Sequence, residues 1–334
     1  MPYESLINNS SLRGPLRRQR RLRLTPLIGA LLLLIIIVFF WPHPSAGKPN
    51  PTVLISQLVL PDLPKKLASL PKLASKTTKI QLATKAAILV DGATNTVLYQ
   101  ENGEEPVPIA STTKLMTAIL ARQNLDLNKV ITITKEATQI IGSDMNLRSG
   151  EAITVRGLLA GLLISSGNDA AYTFASDIGP TVPDFVTKMN AMANKLGMKD
   201  THYADPAGLD DTGRSTARDL AIIARAALRD SVLADLVRTK EMTVTSTDGS
   251  IRHDLKNSNR LVGEYDYPGA IGLKTGFTPE AGHCLVAGAE RDGHQLIAVI
   301  LHTDAETITA SAIEARKLLD WGWTNTVWST PIAQ

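Results

Sequence analysis

Cysteine is almost missing from this sequence. Cys284 stands alone in 334 residues, so no internal disulfide framework braces the fold. It lies in an apolar, strand-like run and reads as a buried small hydrophobe rather than a nucleophile. Histidine is also sparse: six residues are scattered without metal-ligand spacing, and His-Glu-x-x-His does not occur. A metal centre is not expected, and no cofactor is called for. Net positive charge is missing from the body of the chain. Six Arg against Glu4 give residues 1–26 a net of +5, and seven Lys against Asp62 give residues 48–85 a net of +6. With +3 overall, residues 86–334 sum to −8. A body of that sign is not a nucleic-acid-binding surface.

Long apolar runs are confined to one place. Residues 27–41 form 15 uninterrupted apolar positions, shorter than the ~20 of a spanning helix and longer than many signal cores. The preceding Arg cluster would stay cytoplasmic and send the rest of the chain outward. The reading favoured is an uncleaved N-terminal anchor, with a basic cytoplasmic segment at 1–26. A cleaved signal ending near Ser45-Ala46-Gly47 is the alternative. Residues 42–83 hold seven Pro interspersed with Lys and read as a semi-stiff linker.

From residue 84 the pattern is that of a folded domain, expected to reach 323, with 324–334 as a tail. Residues 86–91 and 96–100 read as a β-hairpin. Helix signals follow at 111–123, 155–163, 183–196 and 216–228, with Pro183 in a first turn, Gly197 past an end and Thr216 as a cap. Strands are expected at 241–247, 250–255, 270–275, 283–290 and 295–303, and a last helix at 306–319. Strands, helices, strands, helix is an α/β (α+β) order. A mostly antiparallel sheet built from both chain ends, with a helical insert, satisfies it.

Ser111-Thr112-Thr113-Lys114 carries the first chemical signal. Pro106 and Pro108 hold the approach extended, and residues three apart share a helix face. A serine hydroxyl needs a base, and a lysine becomes one when burial or a second cation lowers its pKa. Ser-x-x-Lys also occurs at Ser45–Lys48 and Ser69–Lys72, in Pro-rich sequence that would not hold the side chains together. Two partners make the first match specific. Ser166-Gly167-Asn168 follows a buried helix, where Gly167 permits a tight turn aiming two polar groups into a cleft. Lys274-Thr275-Gly276 ends a strand, where Gly276 allows close approach and Lys274 brings a cation. The three occur in this order, 55 and 108 residues apart.

That triple resembles the motifs of penicillin-binding proteins and class A β-lactamases. Over about 86–323 the chain is similar to the serine-type D-alanyl-D-alanine carboxypeptidases, the low-molecular-mass penicillin-binding proteins. Framework stretches Ala207-Gly208-Leu209-Asp210, Ser215–Leu220 and Leu318–Gly322 add to the likeness. The resemblance implies a β-lactamase/transpeptidase-like fold and a hydrolase that trims the terminal D-alanine from peptidoglycan pentapeptides, with β-lactams as inhibitors. It implies Ser111 as nucleophile, Lys114 as its base and Ser166 as proton carrier to the leaving amine. Asn168 would bind the substrate amide, Lys274 the local positive field, and Thr275 the substrate carboxylate. The Ser111 and Phe277 backbone N–H groups would form the oxyanion hole beside Gly276. Asp169, Arg218 and Asp219 read as structural.

Some features depart from the family pattern. Phe277 stands where some members have His, and Asp304-Ala305 occupies the region where many carry a carboxylate-binding Arg. Many relatives continue into a β-rich second domain and a C-terminal anchor. Eleven residues follow Trp323, so neither is expected here and the N-terminal segment takes the anchoring role. Where a class A β-lactamase carries its deacylating Glu this chain has His202, and residues 199–218 contain no Glu. The rival readings are a peptidoglycan DD-endopeptidase and a non-hydrolysing penicillin-binding or sensor protein. All place the body on the outer face of the bacterial cytoplasmic membrane.

Overall fold

The computed structural model describes residues 70–303 and 307–329. The apolar run at 27–41, the basic segment, most of the linker and Asp304-Ala305 lie outside the described residues. Among those described, no helix is long and apolar enough to cross a membrane.

A five-stranded antiparallel sheet is the frame. β2 (Ala86–Asp91) and β3 (Val97–Glu101) form the expected hairpin. The short strands β4 (Val107–Pro108), β5 (Val130–Thr132), β6 (Ala152–Thr154), β7 (Arg214–Ser215), β8 (Glu241–Thr245) and β9 (Arg252–Lys256) pair outside this sheet, as β4-β7, β5-β6 and β8-β9. β10 (Ala270–Thr278), β11 (Gly282–Arg291) and β12 (His294–Thr303) form the later strands. The order is β10-β11-β12-β2-β3, so β12 closes on β2 and joins the two ends of the domain, with Ile297 opposite Val90 and Val299 opposite Ile88. Both faces are covered, and the two-residue period sorts the side chains between them. Ile88, Val90, Val286, Ile297 and Val299 face the helical region. Leu89, Leu285, Leu296, Ala298 and Ile300 face the last helix, α7 (Ala310–Asn325). Burying each such side chain contributes about 1.5–3 kcal/mol.

The helical insert surrounds α1 (Lys114–Asn124), which is buried from Lys114 to Ala121. Against it pack α2 (Val155–Leu163), α3 (Asn168–Ile178), α4 (Val182–Leu196) and α5 (Ala217–Arg229). Leu- and Gly-rich α2 is buried at every position except Arg156. The Thr154, Thr181 and Thr216 side chains cap α2, α4 and α5.

The structure differs from the sequence expectations in five places. The helix expected at 111–123 opens as a 3-10 turn at Ala110–Thr113, and the α-helix begins only at Lys114. A short helix, α6 (Ser231–Arg238), went unread; Asp230 caps it by accepting from Val232 and Leu233 N–H. β10 runs on through Gly276 to Thr278 instead of stopping at 275. The last helix begins at 310 and reaches 325. Residues 71–83, read as the end of the linker, are tied to the domain: β1 (Pro71–Leu73) pairs antiparallel with β13 (Thr326–Trp328), which was read as tail. Thr78 N–H donates to Asn325 Oδ1, Ala83 N–H donates to Glu314, and Leu82 is buried. A Pro-rich composition does not reveal such pairing, because an edge strand tolerates Pro.

Candidate active site

Ser111 and Lys114 straddle the junction between the 3-10 turn and α1. With three residues per turn, side chains at i and i+3 eclipse, which brings this pair closer than a regular α-helix would. Lys114 Nζ lies 2.7 Å from Ser111 Oγ and donates to the Ala207 carbonyl at 3.0 Å. The amine is fully buried. Desolvation pushes its pKa down to about 7, against the opposing pull of Asp205 and Asp169. Near neutrality a large fraction of Lys114 is therefore unprotonated, with its lone pair beside the serine hydroxyl.

The Ala207 carbonyl belongs to the Ala207–Asp210 framework stretch, which is held in place by Asp205, a residue the sequence reading did not name. Asp205 accepts from the Ala207, Gly208 and Asp210 N–H groups at 2.6, 2.7 and 2.7 Å. The Asp-Pro-Ala-Gly stretch carried that signal, since Asx side chains bond the backbone two residues on. Gly208 has φ +76°, and a Cβ there would sit 1.9 Å from the Ala110 carbonyl oxygen. Only glycine fits. Ala110 itself has φ +46°, a left-handed conformation immediately before the nucleophile, of the kind that costs about 1–3 kcal/mol and concentrates at functional sites.

Lys274 lies on β10, also fully buried, and its amine donates to the Thr275 carbonyl at 3.1 Å. Burial and then the Lys114 charge push its pKa well below the ordinary value. The Lys114 amine is thus close enough to disfavour protonation of Lys274. Thr275 Oγ1 lies 2.8 Å from Ser258 Oγ, and Ser258 N–H donates to the Ile164 carbonyl at 2.9 Å. Ser258, which no motif pointed to, thereby ties β10 to the segment that carries Ser166. A Cβ on Gly276 would meet Ser111 N at 2.9 Å, so the β10 backbone runs directly against the nucleophile's turn. Phe277 next to it is exposed and stacks on His283, with centroids 4.4 Å apart.

Ser166 is buried at φ +66° in the turn before α3, and its hydroxyl makes no hydrogen bond among the described residues. Asn168 does not cap α3 with its side chain. Its Nδ2 donates to the Ile141 carbonyl at 2.6 Å and its N–H to the Ser143 carbonyl at 2.7 Å, while its buried Oδ1 is left without a partner. A buried acceptor without a donor costs free energy, and here it is available to an incoming N–H. Asp169 behind it accepts from Met145, Leu147 and Ala170 N–H, and desolvation raises its pKa. Arg218 bonds Glu104 and Gln100, and Asp219 accepts from Asp200 N–H and Thr201 Oγ1. These three hold framework. Cys284 is buried and its thiol is pushed up to about 12 by desolvation, in line with a packing role. Among the described residues no group of three or more His, Cys, Asp or Glu is placed to hold a metal ion.

A family profile described as D-alanyl-D-alanine carboxypeptidase matches residues 72–305. The chain belongs to the D-alanyl-D-alanine carboxypeptidase family. The enzyme DacF of Bacillus subtilis is 34% identical over 278 residues, covering 81% of this chain and 70% of that protein. The D-alanyl-D-alanine carboxypeptidase of Streptomyces sp. strain K15 is 37% identical over 268 residues, covering 75% and 90%. A D-alanyl-D-alanine endopeptidase of Pseudomonas aeruginosa is 35% identical over 268 residues, covering 80% and 86%. The crystal structure of the Streptomyces K15 DD-transpeptidase has a TM-score of 0.70 at 35% identity, covering 74% of this chain and 100% of that one. The fold of this carboxypeptidase-family chain is accordingly the β-lactamase/transpeptidase type, with its antiparallel sheet and helical region.

Proposed function

We propose that this protein is a serine-type D-Ala-D-Ala carboxypeptidase acting on peptidoglycan stem peptides through an acyl-enzyme on Ser111. One observation carries the reading: a fully buried amine, pushed down to about 7, lies 2.7 Å from the Ser111 hydroxyl. In the first step neutral Lys114 takes the Ser111 proton while Oγ attacks the carbonyl between the two D-alanines. The oxyanion that forms is met by the backbone N–H groups of Ser111 and Phe277; a donor in such a hole is typically worth ~10²–10³ in rate. The C–N bond then breaks, and the proton passes from Lys114 through Ser166 to the departing amine. D-alanine leaves and the peptide remains as an ester on Ser111. Water, losing its proton to Lys114, hydrolyses the ester and regenerates the serine.

Binding roles follow from the same arrangement. Asn168 Oδ1 accepts a substrate amide N–H, and Thr275, next to Lys274 on β10, receives the terminal carboxylate. A β-lactam presents the same carbonyl and carboxylate and acylates Ser111 in place of the peptide. The catalytic machinery lies in residues 84–323, and the apolar run at 27–41 anchors it to the outer face of the membrane. The endopeptidase name of the Pseudomonas relative keeps cross-link cleavage as a second reading, since the same three motifs serve both reactions.

The test is D-alanine release from a free pentapeptide, set beside cleavage of a cross-linked dimer, for wild type and Ser111→Ala. Carboxypeptidase activity requires D-alanine from the pentapeptide and none from the variant. Faster turnover of the dimer would make the enzyme an endopeptidase. Recovery of the full chain in the soluble rather than the membrane fraction of cells would remove the anchor.

A further inference from the structure

Three lysines are pinned to the domain at the place where the chain enters it. Lys72, Lys76 and Lys79 are exposed, and among the described residues none of them makes an ion pair. Thr78 between them is held by Asn325 and by Trp321, whose Nε1 donates to the Thr78 carbonyl at 2.7 Å. Strand register sets an apolar pair beside the first lysine. Val327 lies directly opposite Lys72 in the β1–β13 ribbon, so both project from one face, and Leu70 two residues earlier joins them. Leu70 is 62% exposed and Val327 60%. On the other face Pro71 and Thr326 are buried. Residues 86–334 sum to −8, so this cationic corner stands apart from the rest of the body. An outward apolar pair among unpaired cations is the pattern of a surface that meets anionic headgroups.

The ribbon also has a defined place relative to the cleft. Trp328 Nε1 donates to Asp91 Oδ2 at 2.9 Å and its ring stacks on His294, so the ribbon sits where β2 ends and β12 begins. Gly276, which abuts the Ser111 turn, pairs with Cys284 at the other end of the sheet, where β12 finishes at Thr303 opposite His283. The 10 residues of β12 separate the two ends by about 30 Å.

We propose that the Leu70–Lys72–Val327 face and the lysines after it rest on the bilayer, with anionic lipid headgroups as the partner, which holds the Ser111 cleft off the membrane. The inference rests on the anchor reading above. Residues 42–69 are 28 positions, a reach of at most ~100 Å, so the domain stays near the surface from which the anchor emerges. A tethered domain needs only a weak contact, because the tether keeps its effective concentration high. Each lysine at an anionic surface favours the docked state by about fivefold. Leu70 and Val327 enter the headgroup boundary beside them.

The test places one fluorophore at a time on the full-length protein. Cys284 is the only cysteine and is buried. Val327→Cys, or Glu280→Cys in the exposed turn between β10 and β11, therefore labels at a single position. Each labelled protein is reconstituted into vesicles of phosphatidylglycerol and phosphatidylcholine, and quenching by spin-labelled lipid is read. The label at 327 is expected to be blue-shifted and quenched, and the label at 280 to behave as in water. Lys72→Gln, Lys76→Gln and Lys79→Gln together should lower the docked-to-free ratio about a hundredfold and return the 327 label to water. Unchanged benzylpenicillin attachment shows that this variant is folded. A 327 label as wet as the 280 label overturns the docking, as does quenching that the triple substitution leaves unaltered. A blue shift at 327 that grows with protein concentration, without lipid quenching, makes the occupant a second copy and also overturns it. A chain that does not float with the vesicles removes the anchor reading and the docking with it. Flotation with a water-exposed 327 label removes the docking alone.

Discussion

Replacing Lys114 by Met should abolish acylation and at the same time make the protein more stable at mildly acid pH. Lys114 is fully buried, and its pKa falls from 10.5 unfolded to about 7 folded. A base whose folded pKa is depressed costs stability in full below the folded value, and the cost fades as pH rises toward the unfolded value. At about 1.4 kcal/mol per unit, the charge on Lys114 costs about 5 kcal/mol at pH 6 and about 2 kcal/mol at pH 9. Methionine fills similar volume without the charge. It leaves the Ala207 carbonyl without its donor, a loss of about 1–3 kcal/mol. The net expectation is a gain of about 2–4 kcal/mol at pH 6 that is close to zero at pH 9. For a domain of this size that corresponds to a Tm rise of about 5–15 °C at pH 6. Thermal unfolding of wild type and variant across pH 6–9 measures it. A variant less stable than wild type at pH 6, or a difference that does not change with pH, would refute the reasoning.

Other outcomes follow from the same geometry. Asp205 opposes the depression of the Lys114 pKa, so Asp205→Asn should move the acid limb of the acylation rate to lower pH, read from penicillin acylation between pH 5 and 9. Gly208→Ala places a methyl 1.9 Å from the Ala110 carbonyl oxygen at a φ of +76°. It should cost about 3 kcal/mol or more in urea unfolding and slow acylation by displacing the turn before Ser111. Asn168→Ala removes the unpartnered acceptor but frees only the solvent-exposed Ile141 segment. Its kcat/KM on peptide should fall about 10–100-fold, while its stability changes by ~1 kcal/mol or less.

The candidate site was legible because each proposed catalytic group sits in a short, local pattern. Ser111 and Lys114 need only one turn of helix, and Lys274-Thr275-Gly276 only one strand end. The sheet was legible through its apolar, β-rich runs, and α2 through its Leu-rich buried run. α4 was legible through Pro183 in its first turn and Gly197 past its end, and α5 through its Thr216 cap. What the sequence concealed is contributed from a distance. The carbonyl that receives Lys114 comes from Ala207, 93 residues away. Ser258 meets Thr275 across 17 residues, and Asn168 meets Ile141 across 27. Residues 71–73 pair with 326–328 across nearly the whole domain, where neither partner has a periodic pattern of its own. The 3-10 turn is set by tertiary packing of Gly208 and Gly276 against residues 109–111, which no local propensity encodes.

The most direct measurement is the mass of the full-length protein after exposure to benzylpenicillin at pH 6, 7 and 8, with peptide mapping of the adduct. The account requires one penicilloyl group, located on Ser111, with an acylation rate that climbs through about pH 7 and then levels. An adduct on another residue, no adduct at all, or a rate indifferent to pH across that range would contradict it.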